Sequence, residues 1–430
     1  MSTRIVVDHL ARVEGHGGIT VELDGKRVQA VRFDVFEGAR LIEGLIGGRH
    51  WTEVAQIVSR ICSICSSSHA LTSIKATEAA FGLTVTPQTL RLRDLQTRGE
   101  NIESHALHLF LLAAPDYLQY PSAIHLAADN PDAVKLGLRL KRLGNTIQEV
   151  IGGRAIHPVN CVVGGFASMP TTDQLLELRR ALLQGVEDAQ AAVAIVASLP
   201  AVACGRADTV FAALDPGRTY NYYEGDEIVV RDGQGDTRVS GADYRQLTAE
   251  SCVAHSHAKH SSFNGSPFMV GALARLTVNG HLLDATSTRV REQLGLTLPT
   301  GDPLANNLAQ AVELEADIRY TLELVEQLLH DGLRPEPPLR PQPRPGHGSA
   351  VTEAPRGLLV HSYGYDARGF IRDADIITPT AMNAAMLERH MRGAVAVSDP
   401  DDEPALKRRL EMVARAYDPC ISCSVHLVRV

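Results

Sequence analysis

A chain of 430 residues can bury a core without disulfide or metal staples, and 44% hydrophobic with 21% charged residues is the make-up of a globular protein. A formal net charge of −8 with no block of Lys and Arg excludes a nucleic-acid surface, and no apolar run is long enough to span a bilayer. Seven cysteines at irregular spacing fit a reducing compartment and thiol or metal chemistry better than a disulfide framework.

Met1 to Asp8 has neither the apolar core nor the cleavage site of a signal peptide, so a cytoplasmic location is expected. Arg4 to Phe36 alternates apolar and polar positions around Leu23-Asp24-Gly25-Lys26, which predicts an antiparallel hairpin or meander. Helical spacing runs through Thr52 to Phe81, Gln88 to Leu118, Asp132 to Ile151 and Thr172 to Ala197, with caps at Asp132 and Thr171-Thr172. The apolar run Ala191 to Ala203 is interrupted by Pro200 and reads as a buried helix end. Asp215 to Leu247, rich in Gly, Tyr and Asp, reads as an irregular, partly stranded insert. Helices resume at Leu282 to Leu294 and Pro303 to His330. Arg334 to Gly348 holds six of the 22 prolines and predicts an extended connection. Short strands near Gly357 to His361 and Gly369 to Ile377 follow, then helices through Tyr417; there is no internal repeat. The expected fold class is α+β and predominantly helical, a central bundle of long helices with small peripheral sheets. It is expected as one unit, with a β-rich part over 1–50, a bundle over 51–200, the Pro-rich connection over 334–348 and a closing part over 351–430.

Two segments carry the chemistry: Arg60-Ile-Cys62-Ser-Ile-Cys65-Ser-Ser-Ser-His69 and Asp418-Pro-Cys420-Ile-Ser-Cys423-Ser-Val-His426. Each presents two thiols at a spacing that lets both sulfurs face one ion. Four thiolates suit zinc, copper, nickel or iron–sulfur centres and exclude hard cations. A structural four-cysteine zinc site fits the two pairs alone. However, 355 positions separate Cys65 from Cys420, far beyond a local zinc ribbon, which favours a buried centre closed by the two ends of a large fold. A redox dithiol at either pair lacks its strand–helix context. Cys161, Cys204 and Cys252 are isolated and read as small buried hydrophobes.

The pairs R-x-C-x-x-C-x-x-x-H and D-P-C-x-x-C-x-x-H resemble the two signatures of nickel–iron hydrogenase large subunits, in the same order and at opposite ends. Further matching stretches are Arg12-Val-Glu14-Gly-His16, Gly152-Gly-Arg154-Ala-Ile-His157-Pro158, Glu353-Ala-Pro355-Arg356-Gly357 and Ile376-Ile-Thr-Pro379-Thr380. Gly265 to Arg275, with His255-Ser-His-Ala-Lys-His260 before it, resembles the cytoplasmic, cofactor-linked branch. Related subunits of respiratory NADH dehydrogenase share the fold but lack the four cysteines.

The resemblance implies that Cys62, Cys65, Cys420 and Cys423 hold nickel, and that Cys65 and Cys423 bridge to an iron carrying carbon monoxide and cyanide. It places Pro355 and Arg356 over the open face of the metals, Thr380 on a cyanide and His69 on a bridging sulfur. Asp116 and Asp418 are expected to hold Arg356. Glu43, the Ile376 carbonyl and His426 are expected to bind a magnesium-like ion. Cys420 is the expected proton acceptor, relaying to Glu14, with Arg356 the competing base. With no further cysteine cluster, electrons are expected to leave through an iron–sulfur small subunit and then NAD(P)-reducing flavoprotein and iron–sulfur subunits. Maturation chaperones are expected partners too. Ser63 and Met382 depart from the residues most relatives carry, without removing a ligand. Only Leu427 to Val430 follow His426, where relatives carry a longer tail that is cut, so these four residues are expected to remain in the active protein.

Overall fold

The computed structural model describes residues 2–38 and 41–425, so the expectations for His426 and for Leu427 to Val430 lie outside the described residues. The opening alternation folds into an antiparallel sheet of β1 (Ser2–Val7), β2 (Gly17–Asp24) and β3 (Arg27–Val35), in that order. Its inward positions Ile5, Ile19, Val21, Val31 and Phe33 are buried, the period-2 pattern of a sheet with one covered face.

After α1 (Ile42–Ile46) and α2 (Trp51–Val58), the helix expected to run unbroken to Phe81 is interrupted. A 3-10 turn covers Ser59–Ile61, Cys62 is extended (φ −148°, ψ 147°), and α3 (Ser66–Phe81) starts only after Cys65. The break has a chemical reason. In a helix the Ile64 N–H would go to the carbonyl four residues back; here it donates to Cys62 Sγ at 3.3 Å. α4 (Pro87–Leu107) passes through a π turn at His108–Ala113 into α5 (Ala114–Tyr117), which spans the expected segment. Then come α6 (Ala123–Asp129) and α7 (Pro131–Gly152), where Asn130 precedes the helix and Pro131 takes its first position. Asp132, expected as the cap, lies inside the first turn instead. A small ladder, β4 (Cys161–Val162) and β5 (Gly165–Phe166), leads to α8 (Thr172–Ser198). Thr171 does cap α8, and Gln174 returns a bond to the Thr171 N–H.

The insert is more regular than its composition predicts. β6 (Val210–Asp215), β7 (Glu227–Asp232), β8 (Gly235–Ser240) and β11 (Phe268–Met269) form one sheet in the order β11-β6-β7-β8, and β9 (Ser251–Val253) pairs with β10 (Ser256–His260). α9 (Ala272–Asn279), α10 (Ala285–Gln293) and α11 (Ala305–Asp331) follow. α4, α7, α8 and α11 pack together as the bundle. Its seam shows in α7, where Leu136, Leu140, Leu143, Ile147 and Ile151 are buried at helical spacing.

The Pro-rich connection carries no helix or strand up to residue 345. β12 (Gly346–Ala354) was not foreseen, because Gly346-His-Gly-Ser lacks an apolar alternation. β12, β13 (Gly357–Tyr365) and β14 (Ile371–Ile377) form an antiparallel sheet, with β13 running four residues past the expected His361. Every residue of β13 is buried, and α3 packs on β12 and β13. α12 (Pro379–Ala396) and α13 (Glu403–Ala416) then lead to the second cysteine pair.

Candidate metal centre

The first cysteine pair sits in the break between α2 and α3; the second follows α13. The fold brings them together, with one sulfur of each cysteine within 4.8 Å of all the others. Cys62 and Cys420 are 3.1 Å apart, Cys65 and Cys423 3.5 Å, and Cys420 and Cys423 2.8 Å. All four thiols are free and buried. Hydrogen bonds from neighbouring thiols, that of Cys420 first, push the Cys62 pKa well down, while burial pushes Cys420 and Cys423 well up. Two unit charges 4 Å apart repel by about 4 kcal/mol at an effective dielectric of 20. Four thiolates therefore share this pocket only around a cation, and soft sulfur donors select a transition metal.

Arg356 reaches the pocket from the two-residue turn Pro355-Arg356 that joins β12 to β13, where Ala354 pairs with Gly357. Gly357 has φ +132°, and a Cβ there would lie 2.4 Å from Val270 Cγ2, so only glycine lets the turn seat this deeply. The Pro355 carbonyl accepts from Arg275 Nη2 at 2.9 Å. Arg356 Nε donates to the Asp418 carbonyl at 2.6 Å and Nη2 to its carboxylate at 2.9 Å. Nη1 is buried without a partner. The guanidinium pKa lies well above its ordinary value: burial lowers it, but Asp418 and the neighbouring thiols outweigh that.

Asp116, expected to share the hold on Arg356, is engaged elsewhere. It accepts from Arg12 and, at 2.6 and 2.8 Å, from Arg415. Arg415 also donates to the Ala11 carbonyl at 2.9 Å. The trio moors the 11–14 loop to the end of α13, next to Glu14 instead of Arg356.

Glu14 bridges to Cys420 in parallel register, its carbonyl accepting from Ile421 N–H at 3.0 Å. Its Oε2 lies 3.3 Å from Cys420 Sγ and accepts from Ser422 N–H at 3.0 Å, and Ser422 Oγ donates to Oε1. Gly15 makes this approach possible: at φ +87°, a Cβ there would stand 2.7 Å from Ile421 Cβ. Thr380, in the first turn of α12, accepts from Cys420 N–H at 2.9 Å, which leaves its hydroxyl proton to donate elsewhere.

His69 Nε2 lies 3.8 Å from Cys423 Sγ, and its Nδ1 lies 3.0 Å from His361 Nε2; His361 Nδ1 meets the Tyr363 hydroxyl. Glu43 Oε1 accepts from Ile376 N–H at 2.8 Å, and burial pushes its pKa up to about 7 against that bond. Of the isolated cysteines, Cys161 and Cys204 are buried as expected, whereas Cys252 is exposed on the edge pair β9–β10. Sequence reasoning missed Ser422, Arg415 and His361. Ser422 lies within the second cysteine motif and Arg415 three residues before it, but His361 carries no sequence signal.

Among the described residues the fold and pocket define a thiolate metalloprotein closed by its two chain ends. The chain belongs to the nickel-dependent hydrogenase family, whose model matches residues 40–146 and 216–426, and a HoxL-like model matches residues 4–37. It is similar to sulfhydrogenase 1 subunit alpha of Pyrococcus furiosus, 38% identical over 99% of this chain and 98% of that one. Sulfhydrogenase 2 subunit alpha of the same organism is 37% identical over 99% of each. A solved NAD+-reducing nickel–iron hydrogenase in the H2-reduced state aligns with a TM-score of 0.88 at 28% identity, covering 99% of both chains. The protein is thus a large, catalytic hydrogenase subunit, an oxidoreductase acting on hydrogen. No described helix is long and apolar enough to cross a membrane.

Proposed function

We propose that this chain cleaves dihydrogen heterolytically and reversibly to protons and electrons at a nickel–iron centre held by Cys62, Cys65, Cys420 and Cys423, with Cys65 and Cys423 shared by both metals. The observation that carries this reading is a four-sulfur pocket with Glu14 against Cys420 and with a buried, unpartnered N–H on Arg356, which feels the charge of the same thiols. A zinc knot would need neither. When bound, the metal pair supplies the electron-pair acceptor that splitting an apolar, very weakly acidic molecule requires.

The protein's own groups handle the proton. Cys420 Sγ accepts it, and Glu14 Oε2, at 3.3 Å, receives it next, steadied by Ser422. Arg356 is the weaker candidate for first base, because Asp418 and the thiols keep it charged. Its free Nη1 and the Thr380 hydroxyl are donors that suit the anionic cyanides among the cyanide and carbon monoxide ligands expected on iron. His69, steadied by His361, donates toward Cys423. Glu43 with the Ile376 carbonyl, and with His426 beyond the described residues, would hold a magnesium-like ion; a cation there keeps the Glu43 carboxylate ionised. Electrons leave through an iron–sulfur small subunit. The NAD+-reducing structural relative supports NAD(P) as the onward acceptor; a cytoplasmic assembly with NAD(P)-reducing flavoprotein and iron–sulfur partners, loaded by maturation chaperones, belongs to the same proposal.

Exchange between dihydrogen and heavy water tests the relay. In Glu14→Gln the amide keeps the shape but accepts no proton, so exchange is expected to fall about 10²- to 10⁴-fold while nickel content and the carbonyl and cyanide infrared bands persist. Unchanged exchange would remove Glu14 from the path.

A further inference from the structure

Outside the four-cysteine pocket, one other group of metal-ligating side chains converges among the described residues. His255 precedes β10, His260 ends it and Glu388 lies on α12, with one ligand atom from each within 4.8 Å of the others. His255 Nε2 stands 2.7 Å from Glu388 Oε1, which also accepts from Phe33 N–H at 2.8 Å. The two imidazoles meet edge-on, centroids 5.7 Å apart. His260 is 8% exposed, and its Nε2 is buried with no hydrogen-bond partner. A buried polar nitrogen without a partner is destabilising, and a bound ion would satisfy it. Burial holds the His260 pKa below its ordinary value, with Glu388 opposing and His255 acting the same way.

We propose that His255, His260 and Glu388 form a second metal site, for a divalent ion of the zinc class. Two imidazoles and a carboxylate are the donor set of three-ligand zinc sites that keep a fourth position for water; magnesium prefers all-oxygen shells and copper(I) prefers sulfur. The His255 and Glu388 side chains are 23% and 17% exposed, which gives the ion a way in. The site ties β10 to α12 and, through Glu388, to β3. β10 also carries Ala258, which bridges Val425 in antiparallel register. A metal here therefore braces the strand that receives the segment bearing Cys420 and Cys423.

The test uses the assembled, nickel-loaded enzyme, dialysed against a chelator and titrated with Zn²⁺ alone. One zinc per chain beyond nickel and iron is expected. His255→Ala and His260→Ala should each weaken that zinc by about tenfold or more with nickel content unchanged, so the result is independent of the nickel assignment. Co²⁺ added to the unaltered enzyme should give ligand-field bands without thiolate charge transfer. Absence of added zinc, zinc affinity unchanged in both variants, or a thiolate cobalt spectrum would each overturn the proposal.

Discussion

Cys423 joins the two cysteine pairs to the histidine beside them: its sulfur lies 2.8 Å from Cys420, 3.5 Å from Cys65 and 3.8 Å from His69. A serine there offers a hard oxygen in place of a soft, shared sulfur. Cys423→Ser, and Cys65→Ser likewise, are expected to lose the binuclear centre and all activity. Carbonyl and cyanide infrared bands of normal intensity in either variant would contradict the sharing. Gly15→Ala tests the approach of the Glu14 loop without touching a donor. Left-handed backbone costs a side-chain residue about 1–2 kcal/mol, and the added Cβ would also press on Ile421. The expected outcome is a lower yield of nickel-loaded protein, with normal exchange per nickel in the fraction that loads. At this scale the two cysteine motifs were enough to expect that Cys62, Cys65, Cys420 and Cys423 come together, which they do, with Glu14 beside Cys420. It misled at Asp116, because spacing does not reveal which of several arginines a carboxylate will meet. Arg12 and Arg415 reach it, and Arg356 does not.

At the scale of elements, α12 carries two separate supports of the cysteine segment: Thr380 at its start and His390 near its end. His390 Nδ1 pairs with the Tyr417 hydroxyl just before Asp418, and Nε2 lies 3.0 Å from the Gly301 carbonyl. Burial pushes its pKa from the ordinary 6.5 down to about 4. The folded state thus favours the neutral ring. Its contribution is complete above pH 6.5 and is lost as pH falls toward 4, a total of about 3 kcal/mol by linkage. His390→Gln should flatten that part of the stability curve between pH 6.5 and 4, read as the unfolding midpoint across pH; an unchanged slope would place the acid sensitivity elsewhere. Long helices such as α7, α8 and α11 were legible because their apolar faces repeat over many turns. The break at Cys62 was not, since sulfur–backbone bonding overrides a helical pattern that continues on both sides. β12 was hidden for a related reason: its strand character comes from pairing with β13, not from its own alternation.

For the whole molecule, distant parts of the described chain meet at one site: the 11–14 loop from one side of the sequence and the Asp418 to Cys423 segment from the other. The distance along the sequence between the two cysteine pairs was the signal that this is a centre built by the entire fold and not a local knot. Metal analysis of the purified protein, from a host that matures nickel hydrogenases, decides whether the four cysteines hold nickel. One nickel per chain is expected, absent from Cys420→Ser. A chain without nickel whose four cysteines hold zinc, released by that same substitution, would contradict it.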